Sequence, residues 1–149
     1  MEVMPLKMTK EMLISYRSKR QEIKELEYIL RNRWKSESMI SVDTILNYRK
    51  GYPVPEGVMG FDYERYERLQ DRDIKRKERL EKECKEVEEF VGEIRDSTTR
   101  RIFQMYFIDG EVKPSQTKVA KRLHLDRSRI SRRIDDYLKN AQKAQKAHV

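Results

Sequence analysis

Between Met8 and Trp34 the apolar and aromatic residues fall at Met8, Met12, Tyr16, Ile23, Leu26, Leu30 and Trp34, with one turn of the pattern filled by Lys19 and Arg20. Separations of three and four lay a single apolar stripe along a helix. Thr9 is placed to cap that helix and Glu11 to meet the positive end of its dipole. The stripe is expected to pack against another helix of the chain, with Trp34, the single tryptophan, as a packing anchor. A second long helix is predicted over Phe61 to Ile94, starting at Asp62 as cap. Its later half carries Leu80, Cys84, Val87, Val91 and Ile94 in a 4-3-4-3 seam. Continued backwards, the same register meets Lys77, Asp73 and Gln70 before it recovers at Tyr66 and Tyr63, so the apolar seam is about two heptads long. Two arrangements stay open: an antiparallel hairpin with Met8 to Trp34, or a dimer to which both helices contribute.

The pattern breaks from Ser36 to Gly60, which holds three of the five glycines and two of the four prolines and so excludes a long helix. A short helical piece fits Val42 to Tyr48, because Val42, Ile45, Leu46 and Tyr48 can cover one side, and a loop is expected from Gly51 to Gly60. A connection of that length inside a compact domain is either mobile or functional.

Helical periodicity returns after Asp96. Asp96, Ser97 and Thr98 offer a cap, and Ile102, Phe103, Met105, Tyr106 and Phe107 form the most apolar cluster of the chain. Asp109-Gly110 stops that helix, and Ser115 caps the next, Gln116 to Leu123, whose inward residues are Val119, Ala120 and Leu123. Leu125 follows the turn, and Asp126 is placed to cap a further helix through its carboxylate. On that helix Ile130, Ile134 and Tyr137 lie on one side, while Ser128, Arg132, Asp135 and Lys139 centre on the other, flanked by Arg129 and Ser131. Two short helices joined by a tight turn, backed by an apolar third, make a helix-turn-helix. The expected fold is therefore all-α: a helical arm or helical hairpin over residues 1–95 with a loop near 49–60, a helix-turn-helix domain over 96–140, and a frayed or disordered tail over 141–149.

Charge sharpens this picture once it is located. The net charge is +8, and residues 1–96 carry 21 basic and 21 acidic side chains, whereas residues 97–149 carry 13 and 5. The whole positive excess sits on the helix-turn-helix segment, which points to a polyanionic partner. Charged residues make up 40% of the chain, more than its 37% of hydrophobic ones, which leaves little material for a second large core. The single cysteine, Cys84, excludes an internal disulfide and reads as a small seam hydrophobe. No apolar run reaches the roughly 18 to 20 residues of a membrane span, and the first residues lack a secretory pattern, so a cytoplasmic location is expected.

The exposed residue types suit double-stranded DNA. Arginine can donate two parallel hydrogen bonds to guanine O6 and N7, so Arg127, Arg129 and Arg132 are candidate base readers or phosphate clamps. Ser128 and Ser131 are short enough to let the backbone approach, and Gln116 and Thr117 can present side chains and free N–H groups to a phosphate. Lys121, Arg122 and Lys139 complete the candidate interface.

RRIFQMYFIDG followed by TKVAKRLHLDRSRISRRIDDYL resembles region 4 of bacterial RNA polymerase sigma factors, and the layout of the chain is similar to small phage and prophage late-gene regulators that end in such a region. The resemblance covers Ile94 to Leu138, about a third of the chain. It implies recognition of duplex DNA near a promoter, with Arg127, Ser128, Arg129, Ser131 and Arg132 on the reading helix, and contact with RNA polymerase. His124 stands at a turn position usually held by glycine or another small residue, which predicts a slightly altered turn, and Arg133 takes a place that is often apolar. Nothing before Ile94 resembles the sigma segments that melt a promoter, so a complete sigma factor is not expected.

Catalysis finds no foothold in this sequence. His124 and His148 lie in the turn and the tail, one cysteine gives no metal-ligand cluster, and there is no glycine-rich phosphate loop. No enzyme activity, cofactor or metal is expected. The expected function is a sequence-specific, homodimeric transcription regulator. The alternatives are a DNA-packaging protein of the small-subunit type, or an RNA polymerase adaptor that binds DNA weakly.

Overall fold

The computed structural model describes residues 8–147. It is mostly helical, with six helices among the described residues: α1 (Lys10–Ile14), α2 (Tyr16–Asn32), α3 (Tyr63–Gly92), α4 (Ser97–Phe103), α5 (Gln116–Leu123) and α6 (Arg127–Ala147). It is not all-α. Two antiparallel strands, β1 (Ile40–Asn47) and β2 (Val54–Phe61), replace the short helix and the loop expected there. The chain divides into two compact units, residues 22–79 and residues 1–21 with 80–149. The structural division therefore does not follow the charge boundary near residue 96.

In the unit of residues 22–79, the parts of α2 and α3 that it contains run antiparallel. Lys77 Nζ meets Glu27 at 3.6 Å, Gln70 Nε2 donates to the Leu30 carbonyl at 3.2 Å, and Arg33 pairs with Asp73. The register of α3 that seemed to lapse at Gln70, Asp73 and Lys77 is thus continued by polar groups with polar partners. Arg33 and Asp73 are both buried, at 7% and 2% exposure. Arg33 also donates to Gln70 Oε1 at 2.6 Å, and Arg72 Nε donates to Asp73 Oδ1 at 3.1 Å. Burial by itself pushes the Asp73 carboxyl up, but hydrogen bonds and charge from Arg72 and Arg33 outweigh it and hold it below the usual range. Because Arg33 takes the inward position, Trp34 does not anchor the packing: it is 58% exposed, with Lys35 Nζ 5.1 Å from its ring centre.

The hairpin closes at its base through the Asp62 N–H, which donates to the Met39 carbonyl at 2.7 Å. Its turn uses Gly51 at φ +81°, in the left-handed region where glycine carries no Cβ penalty. Asp62 caps α3 as expected, accepting from the Arg65 N–H at 3.1 Å.

In the unit of residues 1–21 with 80–149, Thr9 caps α1 by accepting from the Met12 N–H at 3.3 Å. The helix expected from Met8 to Trp34 is interrupted at Ser15, whose hydroxyl donates to the Met12 carbonyl at 3.0 Å. The interruption turns Leu13 inward in place of Met12, and Met8 and Tyr16 are buried with it. On α3, Leu80, Cys84, Val87 and Val91 are buried, as is Ile94 just beyond it. Tyr16 donates to Glu88, and Lys19 pairs with Glu83 at 3.0 Å. The seam is consumed within the chain, so it offers no dimer surface. Burial pushes the Cys84 thiol up, which keeps it a protonated hydrophobe.

Behind the helix-turn-helix, Phe90, Phe103, Phe107 and Tyr137 form a ring cluster with centroids 5.4 to 6.3 Å apart. Asp96 caps α4, accepting from the Thr99 N–H at 2.9 Å and its hydroxyl at 2.6 Å. After α4 the helix widens into a π segment over Gln104–Ile108 and ends at Gly110, φ +74°. α6 runs on to Ala147, so residues 141–147 are helical; His148 and Val149 lie outside the described residues.

Candidate nucleic-acid interface

Ser115 starts α5, its hydroxyl accepting from the Lys118 N–H at 3.2 Å. Val119 and Ala120 are buried and Leu123 half-buried, which matches the expected inner face. The turn is closed by two bonds: the Leu125 N–H donates to the Ala120 carbonyl at 2.9 Å, and the His124 N–H to the Lys121 carbonyl at 3.4 Å. These are the 6→1 and 5→2 bonds of a Schellman motif, whose C′ residue must be left-handed. His124 supplies it at φ 55°, ψ 43°. The turn is thus regular, and the departure at His124 is carried by strain in one residue instead of by altered geometry. Replacing His124 with glycine is expected to raise stability by about 0.5–1 kcal/mol, while valine lowers it by at least as much, because a β-branched residue fits this region worst. Urea unfolding of the two variants tests both signs; a glycine variant less stable than the parent would show that the histidine side chain contributes.

α6 is positioned by Ile130, Ile134 and Leu138, all buried, and by half-buried Tyr137. Asp126 precedes it and accepts from the Arg129 N–H at 3.0 Å through its backbone carbonyl, and not through the carboxylate expected to do so. Arg127, Ser128, Arg129, Arg132 and Lys139 are exposed, as are Thr117, Lys121 and Arg122 on α5. Ser131 and Gln116 are half-buried, at the margin of the surface and not on it. At about 1.5 Å per residue, Ser128 to Lys139 extends the polar face over about 16 Å.

Two acidic groups near this face have partners. Asp135 pairs with Lys10 of α1 at 3.3 Å. Asp96 accepts from Arg133 Nη1 at 3.1 Å, so Arg133, in its often apolar place, ties α6 to the start of α4. Hydrogen bonds from the Thr99 hydroxyl and N–H, together with the charges of Arg133 and Arg100, hold the Asp96 carboxyl below the usual range. Arg127, Arg129 and Arg132 have no ion pair among the described residues, so their donors are free for an incoming group.

Two contributors escaped the sequence reading. The Arg17 guanidinium of α2 wraps the end of the π segment, donating to the carbonyls of Tyr106 at 2.7 Å, Met105 at 3.1 Å and Asp109 at 2.7 Å. A contact 88 or more residues distant in sequence leaves no local signal. Lys113 and Lys118 join Lys121 and Arg122 on the rim of a cleft of about 580 Å³, whose lining includes Met105, Val112 and Val119. The clustering of lysines over residues 113–121 was the available clue.

Among the described residues no group of three or more His, Cys, Asp or Glu side chains could hold a metal ion, and no helix is long and apolar enough to cross a membrane. No family model, curated protein or solved structure matches the chain.

Proposed function

We propose that this protein is a sequence-specific DNA-binding transcription regulator that reads duplex DNA through α6, in the manner of sigma region 4. The observation that carries the reading is the unpaired arginine set, Arg127, Arg129 and Arg132, exposed on a helix held at fixed height by a Schellman turn and a buried Ile130-Ile134-Leu138 edge. Arg129 and Arg132 read base edges in the major groove. Lys121, Arg122, Thr117 and Lys139 meet phosphates and fix the register. Arg127, at the first position of α6, serves the backbone nearest the turn.

Contact with RNA polymerase belongs to the same proposal. Its support is the cleft beside α5, where Lys113 and Lys118, which the DNA reading leaves unused, stand by an apolar lining of Met105, Val112 and Val119 and suit an acidic segment with an apolar residue.

Selection of bound fragments from a genomic or random DNA pool tests the function. A recovered sequence motif, bound at least a hundred-fold tighter than scrambled duplex at physiological salt, is the expected result. Recovery without any shared motif, with affinity set by salt alone, would reduce the protein to a nonspecific polyanion binder.

A further inference from the structure

The hairpin of β1 and β2 stands out because its core-like surface is uncovered. Side chains alternate between the two faces of a strand. The register pairs Ile40 with Phe61, Val42 with Met59, Thr44 with Gly57 and Leu46 with Pro55 on one face, which therefore carries no charged residue. Ile40, Val42, Leu46 and Met59 on it are 46%, 66%, 55% and 70% exposed. The opposite face is different: Asn47 Nδ2 donates to Glu56 Oε2 at 2.8 Å across the strands. That opposite face also exposes Ile45 and Val58, at 49% and 40%, but mixes them with polar residues, so the first face is the uncharged one, and two strands alone are marginal in water.

We propose that this face binds the same face of a second copy of the chain, making the sheet the homodimer surface. A second copy fits for three reasons. In a chain with 40% charged residues, most surfaces would have to desolvate charged side chains on association, whereas this one desolvates none. The face is also shaped to meet itself. Its middle, Thr44 and Gly57, is low, and the bulky pairs on either side stand above it, so a twofold axis near Thr44 sets Leu46 of one copy against Val42 and Met59 of the other. Val42 borders that low point: a Cβ on Gly57 would lie in ordinary contact with Val42 Cγ1, at 3.6 Å. Finally, strands of eight residues span about 27 Å, and two such faces bury on the order of 1,000 Å² together, the lower end for a specific interface. An interface of that size lies at the weak, reversible end of specific association. This surface is independent of how α6 reads DNA.

Sedimentation of the full chain from about 1 to 100 μM, a range suited to a weak, reversible dimer, tests the proposal. The parent is expected to dimerise, and Val42→Lys and Met59→Lys to weaken the dimer at least ten-fold. Ile45→Lys, on the other face, is expected to leave it unchanged. Circular dichroism confirms that each variant is folded. Should a lysine variant not fold, Thr44→Cys gives a second readout, because mild oxidation links copies across the axis while Ser41→Cys on the opposite face does not link. A parent that stays monomeric throughout overturns the proposal, as does a dimer indifferent to Val42→Lys and Met59→Lys. If a monomeric parent instead loses DNA affinity in these variants, the face belongs to nucleic acid and the dimer assignment is wrong.

Discussion

Arg129→Ala and Arg132→Ala are each expected to weaken binding to the selected DNA site by roughly 10- to 100-fold, the cost of about 1–3 kcal/mol for losing a bidentate base contact. Both side chains are exposed and neither has an ion pair or hydrogen bond among the described residues, so their removal leaves the fold intact. The signature is a loss of discrimination: affinity for scrambled duplex changes much less than affinity for the site. Lys121→Ala and Arg122→Ala behave differently. They weaken all sequences alike and reduce the slope of log affinity against log salt by about one each. Arg133→Ala serves as a contrast, because it breaks the pair with Asp96 and acts through the seating of α6 on α4. Fluorescence anisotropy at two salt concentrations separates the three classes. If Arg129→Ala and Arg132→Ala leave specific affinity unchanged, the reading face lies elsewhere.

Asp73→Ala is expected to destabilise the protein by about 3–5 kcal/mol, because it leaves the Arg33 guanidinium buried without its counter-charge. That is a large share of the stability of an ordinary domain. Replacing both partners, Arg33→Met with Asp73→Leu, is expected to restore most of the loss, since well-packed apolar groups need no such compensation. The pH dependence has a defined sign. The Asp73 carboxyl is held below its ordinary value in the folded chain, so its contribution is complete above the ordinary carboxylate pKa of about 3.9 and is lost as pH falls through the depressed folded value. Asp73→Asn removes that part of the acid limb. Urea unfolding between pH 3 and 7, bracketing that ordinary value, measures both effects, and a loss below about 1 kcal/mol would mean that the pair is not the keystone of residues 22–79.

Helix ends, the seam of α3 and the inner faces of α5 and α6 were legible because each is written within one or two turns of chain. Asp96, Asp62, Thr9 and Ser115 cap their helices where local chemistry places them. The strands were not legible. Val42, Ile45 and Leu46 satisfy helical spacing, while Ile40, Val42 and Leu46 satisfy alternation, and a short apolar run cannot decide between the two. Trp34 was misread for a different reason: what faces inward there is set by Asp73 and Gln70, some forty residues away. Of the candidate residues, the exposure of Ser128, Arg129, Arg132 and Lys139 on the polar side of α6 was legible in the spacing. The roles of Arg133 and Lys10 were not, because each depends on a partner brought in by folding.

The Arg17 clamp sets an order of events during synthesis. The guanidinium is made early, yet the carbonyls of Met105, Tyr106 and Asp109 that it binds leave the ribosome some ninety residues later. Over that interval the first segment has no partner at that end, and a nascent chain halted before residue 105 holds Arg17 with nothing to clasp. The helix-turn-helix is also not a detachable cassette. Grafted onto another protein from residue 96 onward, it would arrive without the guanidinium that closes the end of its supporting helix.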